Sequence, residues 1–503
     1  MIKVLINGKP YALQEGENLK DVLARENFLA IPCGGRGVCG KCKAYVYGAK
    51  NPLTDEEKRT LTQTEIDDGI RLTCQVEVAD GLEVRTFSES AYRIQGWAEE
   101  KSRAQNPAFT RYGVAVDIGT TTLASCLYDR DGVLLAQASA PNPQRGFGAD
   151  VVSRIQEALL GKAEALKTVI VAAINGFIDK LSAQARIEGK EIDGLVITGN
   201  TTMLYLFTGT SVEPLSHAPF EIEEKFGKTY AASTLGLTAV SKDATVYLPP
   251  CAGAFLGADI VTAVLSSAMC ESEKTSVLAD VGTNGEIALW QDKKLYMCAT
   301  AAGPAFEGVG ISSGMAGQMG AIERVYLENG KIAVKVIGNV KAKGICGSGV
   351  IDAVATLLET GDIDETGFME EDCIYLTPEV SFSREDVRAV QLAKGAIHAG
   401  IKTLLRSVDT DVERVDVLYL AGGFGSYLDI EKAGAIGLLP KALTKKTQTI
   451  GNAALGGAVR LLLNTQEWAS CARYVSASTV VTLSGNPIFT EEYMERTLFD
   501  ECI

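Results

Sequence analysis

Residues 112–129 read YGVAVDIGTTTLASCLYD. Val114, Val116 and Ile118 alternate as on a strand and flank Asp117, and a second apolar run begins at Leu123. Between the two runs lies Gly119-Thr120-Thr121-Thr122. A strand ending in aspartate, a Gly/Thr turn and a returning strand together suit phosphate. The glycine lets a phosphate approach the backbone, N–H and hydroxyl groups can point at its oxygens, and the aspartate can hold Mg²⁺ through water. The stretch is not a P-loop, because it lacks G-x4-G-K-[ST]. Alone, the same residues also suit an ordinary hairpin, with a turn aspartate and hydroxyls that complete the turn.

The plan recurs at 277–290, VLADVGTNGEIALW, where Asp280 closes a strand, Gly282-Thr283-Asn284-Gly285 turns, and Glu286 opens the next strand. Two copies predict two duplicated α/β lobes facing one ligand. A third glycine-rich turn follows an apolar strand at 417–426, VLYLAGGFGS, which carries Gly422, Gly423, Phe424 and Gly425. A flat base and ribose could lie against that backbone. The strand from Gly194 ends in Gly199-Asn200-Thr201-Thr202, a polar turn at a strand end, where α/β sites sit. Helices are predicted over 149–160, 164–181 and 387–405. Gly344-ICGSG reads as a turn feeding another helix N-terminus. Residues 300–320 form a glycine-rich loop that could close over a nucleotide or face a partner.

In this order the three turns resemble the actin, sugar-kinase and heat-shock ATPase superfamily. The resemblance covers 112–503 and implies two RNase-H-like lobes, 112–272 and 273–503, with ATP and Mg²⁺ in the cleft between them. It places Asp117 and Asp280 across the metal. Gly119, Thr120, Thr121, Thr122, Gly282, Thr283 and Asn284 fall at the phosphates, and Asn200 and Thr201 near the γ-phosphate. Gly422, Gly423 and Phe424 fall at the adenosine. Glu286 could orient a water, although a salt-bridged strand glutamate is the plainer reading.

The N-terminal region has a different signature. Cys33, Cys39 and Cys42 read C-x5-C-x2-C among Gly34, Gly35, Gly37 and Gly40, and Cys74 follows. A two-knuckle zinc site needs two separate C-x2-C pairs. Three thiolates in one loop and a distant fourth suit a [2Fe–2S] cluster. The glycines provide positive φ angles and N–H groups aimed at sulfur. Val4–Ile6 before Asn7-Gly8 predicts a hairpin, 18–28 an amphipathic helix, and 44–47 and 72–78 strands. Residues 1–86 resemble a β-grasp [2Fe–2S] ferredoxin, with an adrenodoxin-like first gap. The remaining eight cysteines are scattered and read as small buried side chains. Residues 88–111, polar and mixed in charge, read as a linker or short bridging helix that lets domain 1–87 move.

Composition bounds the partners. Lys+Arg number 48 against 63 Asp+Glu in 503 residues, a formal charge of −15. That argues against nucleic acid and anionic lipid as partners. No run approaches the ~18 apolar residues of a membrane span. The opening MIKVLINGKPYALQEGENL has no long apolar stretch and no cleavage site, so a cytoplasmic protein is expected. His217 and His398 are the only histidines and read as structural.

A ferredoxin joined to such an ATPase resembles the reductive activators of corrinoid proteins. Cys33–Cys42, DIGTTT (117–122), FGADVVSRI (147–155), ITGNTTM (197–203), DVGTNGE (280–286), GPAFEG (303–308) and LAGGFG (420–425) all look like that family's blocks. The C-terminal cysteine-rich [4Fe–4S] segments of some activators have no counterpart here. The resemblance implies return of Co(II) corrinoid to Co(I) in a methyltransferase system such as an O-demethylase. It also implies an external ferredoxin- or flavodoxin-like donor and a homodimer. Ser312 or Ser313 could touch the corrinoid protein. Co(II) to Co(I) lies at very low potential, below an ordinary cluster: plant-type clusters lie near about −400 mV, and each ~60 mV of one-electron mismatch costs about ten-fold. ATP could hold the corrinoid partner in a form without its lower cobalt ligand, raising its potential, or could drive dissociation after transfer. Alternatives are a redox-regulated small-molecule kinase and an ATP-binding redox-sensing scaffold.

Overall fold

The computed structural model describes residues 1–6, 8–25, 35–37, 40, 42–61, 63–67, 69–86, 104–422 and 428–499. Its first sheet has five strands in the order Lys9–Leu13, Ile2–Ile6, Glu83–Thr86, Lys43–Tyr47, Ile70–Leu72. The expected first hairpin is present, with Ile6 opposite Lys9. Helix Leu19–Arg25 buries Leu19, Val22 and Leu23 against this sheet.

Three features of this region depart from the expectations of the sequence. The predicted strand 72–78 stops at Leu72, and Thr73–Gln75 form a 3-10 turn. The turn takes Cys74 out of the ladder, its carbonyl accepting from the Asn18 amide at 3.2 Å. Strand Glu83–Thr86, not expected from the sequence, lies at the sheet centre between Ile2–Ile6 and Lys43–Tyr47. Helix Asp55–Thr60 is a further addition, although Thr54 and Glu57 form a reciprocal capping box that the spacing signals.

Two six-stranded sheets follow. The first runs Lys228–Ala231, Thr245–Leu248, Ile192–Gly199, Tyr112–Ile118, Thr122–Asp129, Leu134–Pro141. The second runs Thr447–Gly451, Val417–Ala421, Ser276–Val281, Gly285–Gln291, Lys294–Thr300, Ser478–Val480. In each, three antiparallel strands in sequence are joined through the first of them to parallel neighbours. Each thus carries the duplicated plan expected of RNase-H-like lobes. The second lobe adds a three-stranded sheet of Lys331–Val336, Ala321–Glu328 and Gly344–Ile345.

Helices Ala258–Ser267 and Ala453–Leu463 pack against each other between the lobes. Their approach is so close that a Cβ on Gly457 would lie 1.9 Å from the Thr262 carbonyl oxygen. The predicted helix 149–160 is Val151–Glu157, followed by a kink at Gly161 and helix Ala163–Ala185. The bridging-helix reading of the linker lies mostly outside the described residues. The described end, 104–111, is packed rather than loose. The N–H of Ala108 donates to Leu462 at 2.8 Å, and Phe109 is buried.

No helix of the described residues is long and apolar enough to cross a membrane. His398 is buried in helix Arg384–Arg406, its Nδ1 2.9 Å from the Gly437 carbonyl oxygen. Burial depresses its pKa to about 3, so it stays neutral as a structural group.

Candidate functional site

The two Gly/Thr hairpins face each other across one cavity of about 360 Å³. That falls within the range of small-molecule sites. Asp117, the residues 119–122, Asn200, Asp280, the residues 282–284, Glu286 and Gly422 all line it. In the first hairpin Asp117 pairs with Ala124 and Ile118 with Leu123, which leaves Gly119–Thr122 as the turn. A Cβ on Gly119 would come within 2.5 Å of the Thr122 carbonyl oxygen, so the turn closes only around glycine. In the second, Asp280 lies directly opposite Glu286, which places both carboxylates on one face. Gly422 adopts φ +113°, and a Cβ there would lie 2.4 Å from the Val281 carbonyl oxygen. Gly422 therefore lies against the second hairpin.

Thr201 departs from its expected place. Its hydroxyl donates to the Gly253 carbonyl at 2.7 Å, away from the cleft lining. Asn200 caps helix Thr201–Thr208 and reaches back, its amide donating to the Thr120 hydroxyl at 2.9 Å. Gly423 and Phe424 lie outside the described residues. Ser312 is held by Asp386, to which its N–H donates at 2.6 Å. The Ser313 hydroxyl accepts from Ser381 N–H at 3.3 Å. His217 lies on an exposed turn, its Nδ1 3.1 Å from the Ser216 hydroxyl.

Asp259, which no sequence motif marks, adds a further acid to the cleft. It opens helix Ala258–Ser267 and lines the cavity with Asp117, Asp280 and Glu286. Burial is the main cause that raises all four pKa values. Asp117 and Asp280 rise to about 7 and Asp259 to about 6, while Glu286 is raised well above its ordinary value. The charge on Asp259 pushes up the other three, and Asp117 further raises Asp280. Asn452 acts the other way, donating to the Asp117 carboxylate at 2.9 Å. This donor set fits a divalent cation, which would relieve the repulsion. Among the described residues no three His, Cys, Asp or Glu side chains converge tightly enough to hold an ion directly.

The raised pKa values fix a sign. The folded cleft keeps protons that the unfolded chain has lost above its ordinary carboxylate pKa. Stability therefore falls as pH rises from about 4 toward about 7, and the full penalty persists above the folded values. The melting midpoint of the nucleotide-free protein should fall between about pH 5 and about pH 8, and Asp259→Asn should flatten that slope. Equal slopes in thermal scans of the two proteins would contradict the coupling.

Two further residues fix the hairpins. Arg154, in the FGADVVSRI block, is fully buried. Its guanidinium donates to the carbonyls of Thr120 at 2.6 Å and Gly148 at 2.9 Å. Burial lowers its pKa to about 9, so it remains a cation near neutral pH. Arg154→Lys loses this forked geometry. Each such charged hydrogen bond contributes about 1.5–3 kcal/mol. We expect a melting midpoint several degrees lower and nucleotide affinity weakened at least ten-fold, measured by thermal scan and nucleotide titration. Glu307, from GPAFEG, contacts both hairpins, accepting from the Thr121 and Thr283 hydroxyls.

At the other end of the chain, Cys42 and Cys74 are buried with their sulfurs 3.4 Å apart. Gln75 holds the turn, its amide donating to the Gly35 carbonyl at 3.2 Å and to the Cys74 sulfur at 3.5 Å. Glu57 lies beneath, fully buried and paired with Arg71 at 2.7 Å. It also accepts from Leu72 N–H at 3.0 Å, which anchors the strand leading to Cys74. Gly35, Gly37 and Gly40 have the positive φ expected of a wrapping loop. Two converging buried thiols suit an iron–sulfur cluster. Cys33 and Cys39 lie outside the described residues.

The chain matches three family models in succession. The 2Fe-2S iron-sulfur cluster binding domain covers 4–79, the RACo middle region covers 112–272, and the C-terminal domain of RACo, the ASKHA domain, covers 274–501. The corrinoid activation enzyme RamQ of Eubacterium limosum is 37% identical over 424 residues, 78% of this chain and 70% of that protein. A [Co(II) methylated amine-specific corrinoid protein] reductase of Methanosarcina barkeri is 27% identical over 382 residues, 70% of each. A solved structure, a reductive activator for a corrinoid, iron-sulfur protein, superposes with a TM-score of 0.72. That comparison is at 27% identity and covers 99% of this chain and 98% of that one.

Proposed function

The chain belongs to the RACo family of corrinoid-activating enzymes, and on that premise we propose that it reduces a Co(II) corrinoid protein to Co(I) with the help of ATP. The observation that carries the reading is the meeting of both Gly/Thr hairpins and the carboxylates of Asp117, Asp259, Asp280 and Glu286 in one cleft of a chain that opens with a [2Fe–2S] domain.

We assign the cluster to Cys33, Cys39, Cys42 and Cys74. When bound it supplies one-electron transfer. Gln75 orients Cys74, and the buried Glu57–Arg71 pair holds the strand leading to it. The donor is an external low-potential ferredoxin- or flavodoxin-like protein, and the working form is a cytoplasmic homodimer. The domains divide at 1–87, 88–111, 112–272 and 273–503.

In the cleft, Thr120–Thr122, Thr283 and Asn284 bind phosphate oxygens, and Gly119 and Gly282 let the backbone approach. Asp117 and Asp280 hold hydrated Mg²⁺, with Asp259 adding charge. Glu286 orients a water, Asn200 fixes the Thr120 hydroxyl, and Gly422, Gly423 and Phe424 flank the adenosine. ATP shifts the equilibrium between partner-bound states only through different affinity for them. The cleft can provide that difference because both hairpins line it, so one ligand can contact both lobes.

The test is ATP hydrolysis by the purified chain. A Co(II) corrinoid protein should stimulate it, and sugars should not. Phosphoryl transfer to a small molecule would favour a kinase instead.

A further inference from the structure

Both oxygens of the Glu307 carboxylate are engaged. One accepts from the Thr121 hydroxyl of the first lobe. The other accepts from the Thr283 N–H and hydroxyl of the second lobe, each at 2.9 Å. These donors belong to both hairpins and face the cavity. They are also donors that a phosphate needs, so a carboxylate makes the hydrogen bonds of a pair of phosphate oxygens. Glu307 itself sits in the second lobe, at the end of the 3-10 turn Pro304–Glu307. Its contact with Thr121 therefore crosses the cleft.

Two anions cannot share these donors, since like charges a few ångströms apart repel. We propose that Glu307 is an internal phosphate surrogate that a nucleotide's terminal phosphates must displace, so that it tunes which nucleotides bind. The proposal rests on reading the cleft as an ATP site. Without the surrogate, a ligand whose phosphates reach both hairpins gains most, and one that ends at the α-phosphate gains nothing.

The backbone of the turn that carries Glu307 is fixed. Phe306 is buried beside Glu307, and its carbonyl oxygen would lie 1.8 Å from a Cβ on Gly347. On the other side, the Met315 carbonyl oxygen would lie 2.6 Å from a Cβ on Gly308.

The experiment titrates the full chain, wild type, Glu307→Gln and Glu307→Ala, with AMP-PNP and with AMP in the presence of Mg²⁺. Both variants should bind AMP-PNP at least about ten-fold more tightly than wild type, with AMP binding unchanged. Glu307→Gln keeps the side-chain volume and removes the charge, so it carries the test if Glu307→Ala does not fold. AMP-PNP affinity that is unchanged or weaker in the glutamine variant would overturn the surrogate role. A wild type that binds neither nucleotide would instead overturn the ATP reading of the cleft, and the surrogate with it.

Discussion

Asp280→Asn is expected to yield a protein that is more stable without nucleotide and inactive with it. Asp280 lines the cleft with Asp117, Asp259 and Glu286, and its pKa is raised to about 7 by removal from solvent and by the charges of Asp259 and Asp117. Ionising it above that pH costs free energy, about 1.36 kcal/mol for every ten-fold rise in its proton affinity on folding. The amide removes the charge while nearly keeping the shape. Near pH 8 the nucleotide-free variant should gain on the order of 2 kcal/mol, less than Asp280 taken alone implies because its neighbours relax together. Affinity for Mg²⁺-ATP should move the other way. Losing one anionic partner of the cation should cost at least about 100-fold, or about 2.7 kcal/mol. ATP-dependent corrinoid reduction should fall to background. Thermal scans with and without Mg²⁺-ATP read both effects. A merely structural aspartate would lose stability and affinity together, so that result would remove Asp280 from the site.

Cys74→Ser should separate the two halves of the protein. Cys74 sits in a 3-10 turn with its sulfur 3.4 Å from that of Cys42. A serine oxygen is a poor substitute for a thiolate on iron. The visible absorbance of the oxidised cluster should be lost or strongly altered, and Co(I) formation should fall to background. Affinity for Mg²⁺-ATP should stay within about two-fold, because no described residue of 1–86 lines the cleft. Co(I) formation at the wild-type rate would mean that electrons reach the cobalt by another route.

The hairpins are legible in the sequence because their information is local. Alternating apolar residues, an aspartate at the strand end and a Gly/Thr turn specify both the strands and the direction in which Asp117 and Asp280 point. Asp259, Asn452 and Glu307 are not legible, for the opposite reason. Asp259 and Asn452 look like ordinary helix starts. They reach the cleft because Gly457 lets their two helices pack closely, a contact between residues far apart in sequence. Glu307 lies inside a block that stands out by resemblance, yet its cross-cleft bond to Thr121 depends on how the lobes meet.

Thr201 misleads by its position. Next to Asn200 it looks like part of a phosphate turn, but a helix begins there, and its hydroxyl turns to Gly253. The strand predicted at 72–78 fails because the apolar spacing of Leu72, Val76 and Val78 hides a turn. Helix Asp55–Thr60 has a local signal in Thr54 and Glu57, but six residues are too few for an apolar stripe to mark it.

The central claim is that ATP in this cleft drives an electron onto a corrinoid. The most direct measurement mixes the anaerobic protein, a Co(II) corrinoid protein and a low-potential reductant, and follows the Co(I) absorbance band with and without Mg²⁺-ATP. Co(I) should form with ATP, and neither without ATP nor with Asp280→Asn. Co(I) formation at the same rate with and without ATP would contradict the account, as would none across several corrinoid partners with ATP hydrolysis unchanged by any of them.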